Sequence, residues 1–199
     1  MAEARRQIES AHLAGAEQEA LRREVLDFIG VHPDCLHRSC PPGHLTGSAV
    51  IVDPATEQVL LIHHAKIGRW LQPGGHADGE ANLGAVAWTE ATEETGLTGL
   101  VLVTPAIDID IHPIAARPGE PEHRHLDLRF LVLVGAQHDP APNHETLGAR
   151  WVDAADWAVT ESPELQRAVL RAIEVARQVA EPASGNPSGS GCPSGCRCS

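Results

Sequence analysis

Three glutamates, Glu90, Glu93 and Glu94, fall within five residues in "TEATEETG". On a helix, spacings of i, i+3 and i+4 put their carboxylates on one face, and like charges so placed cost roughly 0.2–0.5 kcal/mol per pair. Glu93 and Glu94 also precede Gly96, in a last turn where the helix dipole disfavours anions. No Lys or Arg lies between Trp70 and Ala116, while that stretch holds seven acids: Asp78, Glu80, Glu90, Glu93, Glu94, Asp108 and Asp110. A solvated acidic face is the plain explanation of such a trio. Its place between a Gly-Gly turn (Gly74, Gly75) and a Gly cap favours a divalent, oxygen-loving cation instead. Mg2+ binds carboxylates and keeps positions for water and substrate phosphates.

Other groups could serve the same chemistry. Lys66, the only lysine, and Arg69 precede the Gly-Gly turn in "HHAKIGRWLQPGGH". They suit phosphate oxygens, or else a solvent-facing hairpin. Trp70 suits either a stacked base or the core, and His76 is expected to face the cleft. In "HRHLDLRF" the period of two sets His123, His125, Asp127 and Arg129 on one face. In "IDIDIHPI" it does the same for Asp108, Asp110 and His112. Such a row fits a polar cleft for phosphate and sugar, or an exposed outer face. "HRH" hints at zinc, weakly, because no cysteine spacing supports it. Cys192, Cys196 and Cys198 form C-x3-C-x-C in a polar tail read as disordered, and Cys35 and Cys40 are read as structural.

The elements that must position these groups are legible in outline. Residues 2–29 read as a helix with Leu21, Val25, Phe28 and Ile29 in register, ended by Gly30 and Pro33. Residues 48–52 and 58–63 read as a hairpin around "DPATEQ". Residues 83–95 read as a helix, with Gly96 as a left-handed cap. "LTGLVLVTP" reads as a strand separate from "IDIDIHPI", and "ARWVDAADW" as a strand turning into a helix. A last helix starts at Ser162 as N-cap with Pro163 following, and carries Leu165, Val169, Ile173 and Ala176 as its apolar stripe. Hairpins mixed irregularly with helices favour α+β over a doubly wound parallel fold.

The totals bound the partners. The chain has 199 residues, 42% of them hydrophobic, and a net charge of −12. That charge argues against nucleic acid, whose phosphates need Lys and Arg. No apolar run approaches a membrane span, and the charged N-terminus lacks a signal core, so the expected location is cytoplasmic.

From Gly75 to Leu97 the chain resembles the Nudix hydrolase box, G-x5-E-x7-R-E-U-x-E-E-x-G-U with U aliphatic. Gly75, Glu90, Ala91, Glu93, Glu94, Gly96 and Leu97 match in register. Two positions depart. Ala81 stands where the first box glutamate belongs, with Glu80 one place early, and Thr89 stands where the arginine belongs. In the family those two side chains help fix the loop against the helix, so the reading favoured here has Glu80 reaching in from a shifted turn.

The resemblance implies an α/β/α sandwich with a mixed β-sheet between helices. It implies Mg2+, or Mn2+ in its place, held by Glu90, Glu93 and Glu94 with the Gly74 carbonyl. It implies hydrolysis of a nucleoside diphosphate derivative by water attack on phosphorus, with Glu93 and Glu94 catalytic. Glu145 is a candidate base or extra ligand, or a plain loop acid. Lys66, Arg69, Trp70, His76, His125, Asp127 and Arg129 are the expected substrate-binding residues, the partner a nucleotide-type small molecule, and the assembly a homodimer. The division is an N-terminal helical arm (1–42), a Nudix-like domain (43–181) and a tail (182–199). Three rivals remain: a non-catalytic nucleotide-binding domain, motivated by Ala81 and Thr89, a structural metal-binding protein using the 12 histidines and the Cys tail, and an isomerase on the same scaffold.

Overall fold

The computed structural model describes residues 1–135, 139–141, 146–153 and 162–180. The chain runs α1 (Ala2–Ser10), α2 (Gly15–Val31), β1 (Gly43–Asp53), β2 (Gln58–His64), β3 (Arg69–Leu71), β4 (Gly74–His76), α3 (Leu83–Thr95), β5 (Val101–Ile114), β6 (His123–Leu133), β7 (Thr146–Asp153) and α4 (Pro163–Ala180). Seven strands form one mixed sheet in the order β3-β2-β1-β6-β5, with β4 on β1 and β7 on β2. β1 runs parallel to β6 over ten registered pairs, from Gly43↔Arg124 to Val52↔Leu133. The other pairings are antiparallel.

Where the sheet divides decides where the site forms. β1 and β2 pair only from Ile51↔Leu60 to Asp53↔Gln58 and then part. The freed edge of β1 takes β4 at Thr46, Gly47 and Ser48. The freed edge of β2 takes β3 at Ile62, His63 and His64. The expected Gly-Gly turn is therefore a short strand wedged into the split, because the backbone groups of β1 exposed there need partners.

Alternation along β1 builds two cores. Leu45, Ala49 and Ile51 pack with α1, α2 and α3, while Val50 and Val52 pack with α4. The result is the α/β/α sandwich expected from the sequence. Gly47 sets the closeness of α3, since a Cβ there would lie 2.4 Å from the Leu83 carbonyl oxygen. Leu83, Ala87 and Ala91 are buried along that contact, and each large aliphatic side chain so buried contributes about 1.5–3 kcal/mol. Helix α3 keeps its expected bounds. The Asn82 side chain accepts from the Ala85 N–H, and Gly96 ends the helix at φ 67°. At α4, Ser162 Oγ accepts the Leu165 N–H at 3.2 Å, as the expected N-cap.

Two expectations fail. Residues 2–29 are not one helix: residues 11–14 break it. There the His12 N–H donates to the Ala106 carbonyl instead of continuing the helix, and Gly15 takes a φ of 87°. "LTGLVLVTP" and "IDIDIHPI" are not separate strands but one, β5, whose pairing with β6 is interrupted between Val103 and Asp108. Pro105, without an N–H, lies in that gap. β5 is an edge, and α2 covers it: the Gln18 amide bonds both the N–H and the carbonyl of Ile109, each at 2.8 Å. No helix among the described residues is long and apolar enough to cross a membrane.

Candidate active site

The last two turns of α3 carry the acidic trio. Glu94 is 3% exposed, and its Oε2 accepts the Gly74 N–H at 3.1 Å. Glu90 is half-buried and lies flat against β4, so that a Cβ on Gly75 would sit 2.1 Å from its Oε1. A Cβ on Gly74 would sit 2.2 Å from Ser48 Oγ on β1. Both glycines are required because β4 passes between the carboxylates of α3 and the hydroxyl face of β1. Glu93 is exposed. Two carboxylates fixed by a backbone strand and a third beside them on the same face are the donor set of a hard, oxygen-liganded cation, so the residues present fit Mg2+.

The loop leading into α3 lacks the glutamate and arginine of the box, and the N-terminal segment holds it instead. The Leu36 carbonyl accepts the Gly79 N–H at 2.9 Å, and the Leu45 carbonyl accepts the Ala77 N–H at 3.1 Å. Arg38 forks onto Asp78, with Nε 2.9 Å from Oδ1. From α1, Gln7 Oε1 accepts the N–H groups of Leu83 and Gly84 at 2.9 and 3.3 Å, two donors that the start of a helix leaves unpaired. Its amide nitrogen donates to the capping Asn82 at 2.7 Å. Glu80 does not reach inward as expected. It is exposed, and its carboxylate accepts the Asn82 N–H at 2.7 Å.

A cleft of 480 Å³ lies among β3, β5, β6 and the start of α4, with Arg69, Gln72, His112, Arg117 and Arg129 in its lining. Arg69 and Arg117 are the cations that bracket the cation-free stretch in sequence, and folding brings both to one cleft. Arg117 was missed by sequence reasoning, as no periodicity marks it. Only Pro73 separates Gln72 from Gly74, so the cleft runs up to the strand that touches Glu94. Lys66 is exposed in the β2–β3 turn. Trp70 is not among the lining residues of the cleft: it packs against the α4-side core, with the His63 ring stacked at 5.1 Å and the Arg150 guanidinium 4.1 Å from its ring centre.

The wall of the cleft is an ion-pair network. Arg129 is 4% exposed. Its Nε donates to Asp127 at 3.0 Å, its Nη2 to Asp110 at 2.8 Å, and its Nη1 to Asp108 and the Glu164 carbonyl, each at 3.1 Å. Asp127 Oδ1 takes the hydroxyls of Thr46 and Ser48 at 2.7 and 2.8 Å. Arg167 reaches Asp108 at 2.9 Å. Burial pulls the Arg129 guanidinium down, but the charges of Asp127, Asp110 and Asp108 outweigh that and hold it above the usual arginine range. Burial pushes Asp110 up, yet the His112 hydrogen bond and the Arg129 charge win and hold it low. Burial prevails at Asp108, which is raised despite Arg167 and Arg129. Of the expected substrate-binding residues, Asp127 and Arg129 are thus occupied with each other and with the wall.

His76 and His125 do meet, with their Nε2 atoms 3.3 Å apart. His44 joins them, and one nitrogen or other ligand atom from each of the three lies within 4.8 Å of the others. Burial drives the pKa of His44 down to about 4 and that of His125 down to about 2, with neighbouring histidines adding to the effect. His44 escaped sequence reasoning, although the alternation His44, Thr46, Ser48 was a signal for a polar face. Glu145 and the Cys192, Cys196 and Cys198 cluster lie outside the described residues.

The family model for the NUDIX domain matches residues 43–173. Among solved structures, the E. coli dihydroneopterin triphosphate pyrophosphohydrolase is 19% identical, with 66% of this chain and 95% of that chain covered at a TM-score of 0.55. The binary complex of a C. elegans Ap4A hydrolase is 17% identical, with 64% and 93% covered at 0.53. At such identities the likeness is one of fold. No curated protein matches the chain.

Proposed function

The chain belongs to the Nudix family, and from that premise we propose that it is a Mg2+-dependent hydrolase cleaving the diphosphate linkage of a nucleoside diphosphate derivative. The observation that carries this is the seating of Glu90 and Glu94 on the two glycines of β4, with Glu93 beside them. Glu90, Glu93 and Glu94 would hold the ion with the Gly74 carbonyl, and the bound ion supplies neutralisation of the diphosphate charge. The chain's own groups do the rest. Arg69 and Arg117 bind phosphate or carboxylate oxygens of the substrate in the cleft. Gln72 and His112 orient the remainder of it. A water oxygen forms a bond to phosphorus, the bridging P–O bond breaks, and the departing phosphate keeps the electron pair. Glu93 or Glu145 takes the proton of that water.

The rival reading, a non-catalytic nucleotide-binding domain, rests on Ala81 and Thr89. It is weakened by Leu36, Arg38 and Gln7, which hold the loop those residues would have held. The test is phosphate release, after a coupled phosphatase, from a panel of nucleoside diphosphate derivatives that includes Ap4A, run with Mg2+, Mn2+ or EDTA. The expected result is metal-dependent turnover that falls by more than about 100-fold in Glu94→Gln, since loss of a mere supporting partner costs roughly 10–100-fold. Binding seen by calorimetry with no product across the panel would establish the rival.

A further inference from the structure

We infer that His44, His76 and His125 form a second metal site, chemically distinct from the carboxylate trio, that takes a zinc-class divalent ion. The three come from β1, β4 and β6, neighbouring strands in the sheet. His44 pairs with His125 across the parallel ladder, and His76 pairs with Thr46, so all three side chains emerge on one face.

One pair of the three already stands at the spacing of a nitrogen-liganded tetrahedral ion, and a His44 ring nitrogen lies within 4.8 Å of both. Zn–N bonds of about 2.0–2.1 Å at a tetrahedral angle set two ligand nitrogens roughly 3.3–3.4 Å apart. The Nε2 atoms of His76 and His125 stand 3.3 Å apart. His44 supplies an independent argument. It is 1% exposed, and neither of its ring nitrogens has a hydrogen-bond partner among the described residues. A buried polar group left so is costly by about 1–3 kcal/mol, and an ion at the cluster would engage one of the two. Imidazoles are borderline ligands that suit zinc, copper or nickel, whereas Mg2+ prefers oxygen.

The surroundings support ligands in place. His123 stacks on His44 at 4.8 Å, and its Nδ1 is 2.8 Å from the Pro121 carbonyl, which holds that ring in one orientation. His112 packs edge-on against His125 at 5.3 Å and is itself bonded to Asp110 at 2.9 Å. Three protein ligands leave a fourth position for water, the pattern of an open zinc site.

The test uses the full chain, stripped with EDTA and dialysed. Calorimetry is expected to show one equivalent of Zn2+ bound. Co2+ in its place is expected to give the intense visible bands of a tetrahedral site, with no thiolate charge-transfer band. His76→Asn or His125→Asn is expected to weaken Zn2+ by more than about 100-fold, beyond what loss of a supporting partner does. Glu93→Gln, and replacement of Cys192, Cys196 and Cys198 by Ser, are expected to leave Zn2+ affinity unchanged. No stoichiometric uptake, a thiolate band, or loss of binding in Glu93→Gln would overturn the inference. The Co2+ spectrum needs no substitution, so a histidine variant that fails to fold leaves the test decisive.

Discussion

Two acidic triplets lie on opposite faces of one sheet, and they are held in opposite ways. Asp108, Asp110 and Asp127 are 1%, 6% and 2% exposed. They surround Arg129, with Arg167 closing on Asp108. Glu90, Glu93 and Glu94 stand on α3, where the strand β4 fixes two of them through a backbone N–H and a bare Cα. In the first triplet the counter-charge is built in, and four donated hydrogen bonds spend nearly all that a guanidinium offers. In the second, the glycine backbone of β4 sets where the carboxylate oxygens stand. Burying a charge demands a partner at hand, so the aspartates amount to structure. The glutamates, gathered against the preferences of their own helix, amount to a site.

The widest separation between the two should appear when each loses its central group. Arg129→Met leaves three carboxylates buried around an apolar side chain. It is expected to cost about 3–5 kcal/mol, as breaking a buried pair does, read as a fall in urea midpoint at constant slope. Removing one of three like charges with Glu94→Gln is expected to leave that midpoint nearly unchanged. A Glu94→Gln loss as large as that of Arg129→Met would erase the distinction.

A finer cut is made at Gly75. An added Cβ meets the Glu90 carboxylate, the far end of a flexible side chain, and not backbone. Gly75→Ala should therefore displace the carboxylate with little strain. Turnover is expected to fall roughly 10–100-fold, the size of a lost supporting interaction at a metal, while the melting temperature holds. A variant that melts early and keeps its turnover per folded molecule would show that Gly75 serves packing alone.

What the sequence disclosed follows the same division. The glutamates are neighbours along one helix, so spacing alone placed them together, and α3 with its Asn82 and Gly96 ends kept its expected bounds. The aspartate triplet was half legible. The period of two put Asp108 with Asp110 and Asp127 with Arg129, but it could not tell a cleft lining from a saturated network, because that depends on which strands become neighbours. The histidine cluster joins positions 44, 76 and 125 through a β4 that pairs only because β1 and β2 part. Nothing local signals that event. Nor did the sequence show how the loop tolerates Ala81 and Thr89. The answer sits in Gln7, Leu36 and Arg38, far upstream, whose side chains and carbonyls act through tertiary contacts.

Protons give the smallest and most graded contrast. The face with the aspartates also carries His44 and His125, whose pKa values are depressed to about 4 and about 2 from 6.5. Between those values and 6.5 the unfolded chain binds protons that the folded chain refuses, so stability must fall as pH falls. Each histidine can remove up to about 1.4 kcal/mol per pH unit within its window. Asp110, held low, adds its loss only further down, as pH falls through its folded value. In EDTA-treated protein the urea midpoint is therefore expected to drop steadily from about pH 6.5 to about pH 5, a window set by the histidines. His44→Leu should flatten that slope by one proton's worth, while Glu93→Gln, on the other face, should leave it as it was. A midpoint that holds level to pH 5 would mean that the imidazoles accept protons in place, and that this face is wetter than its burial implies.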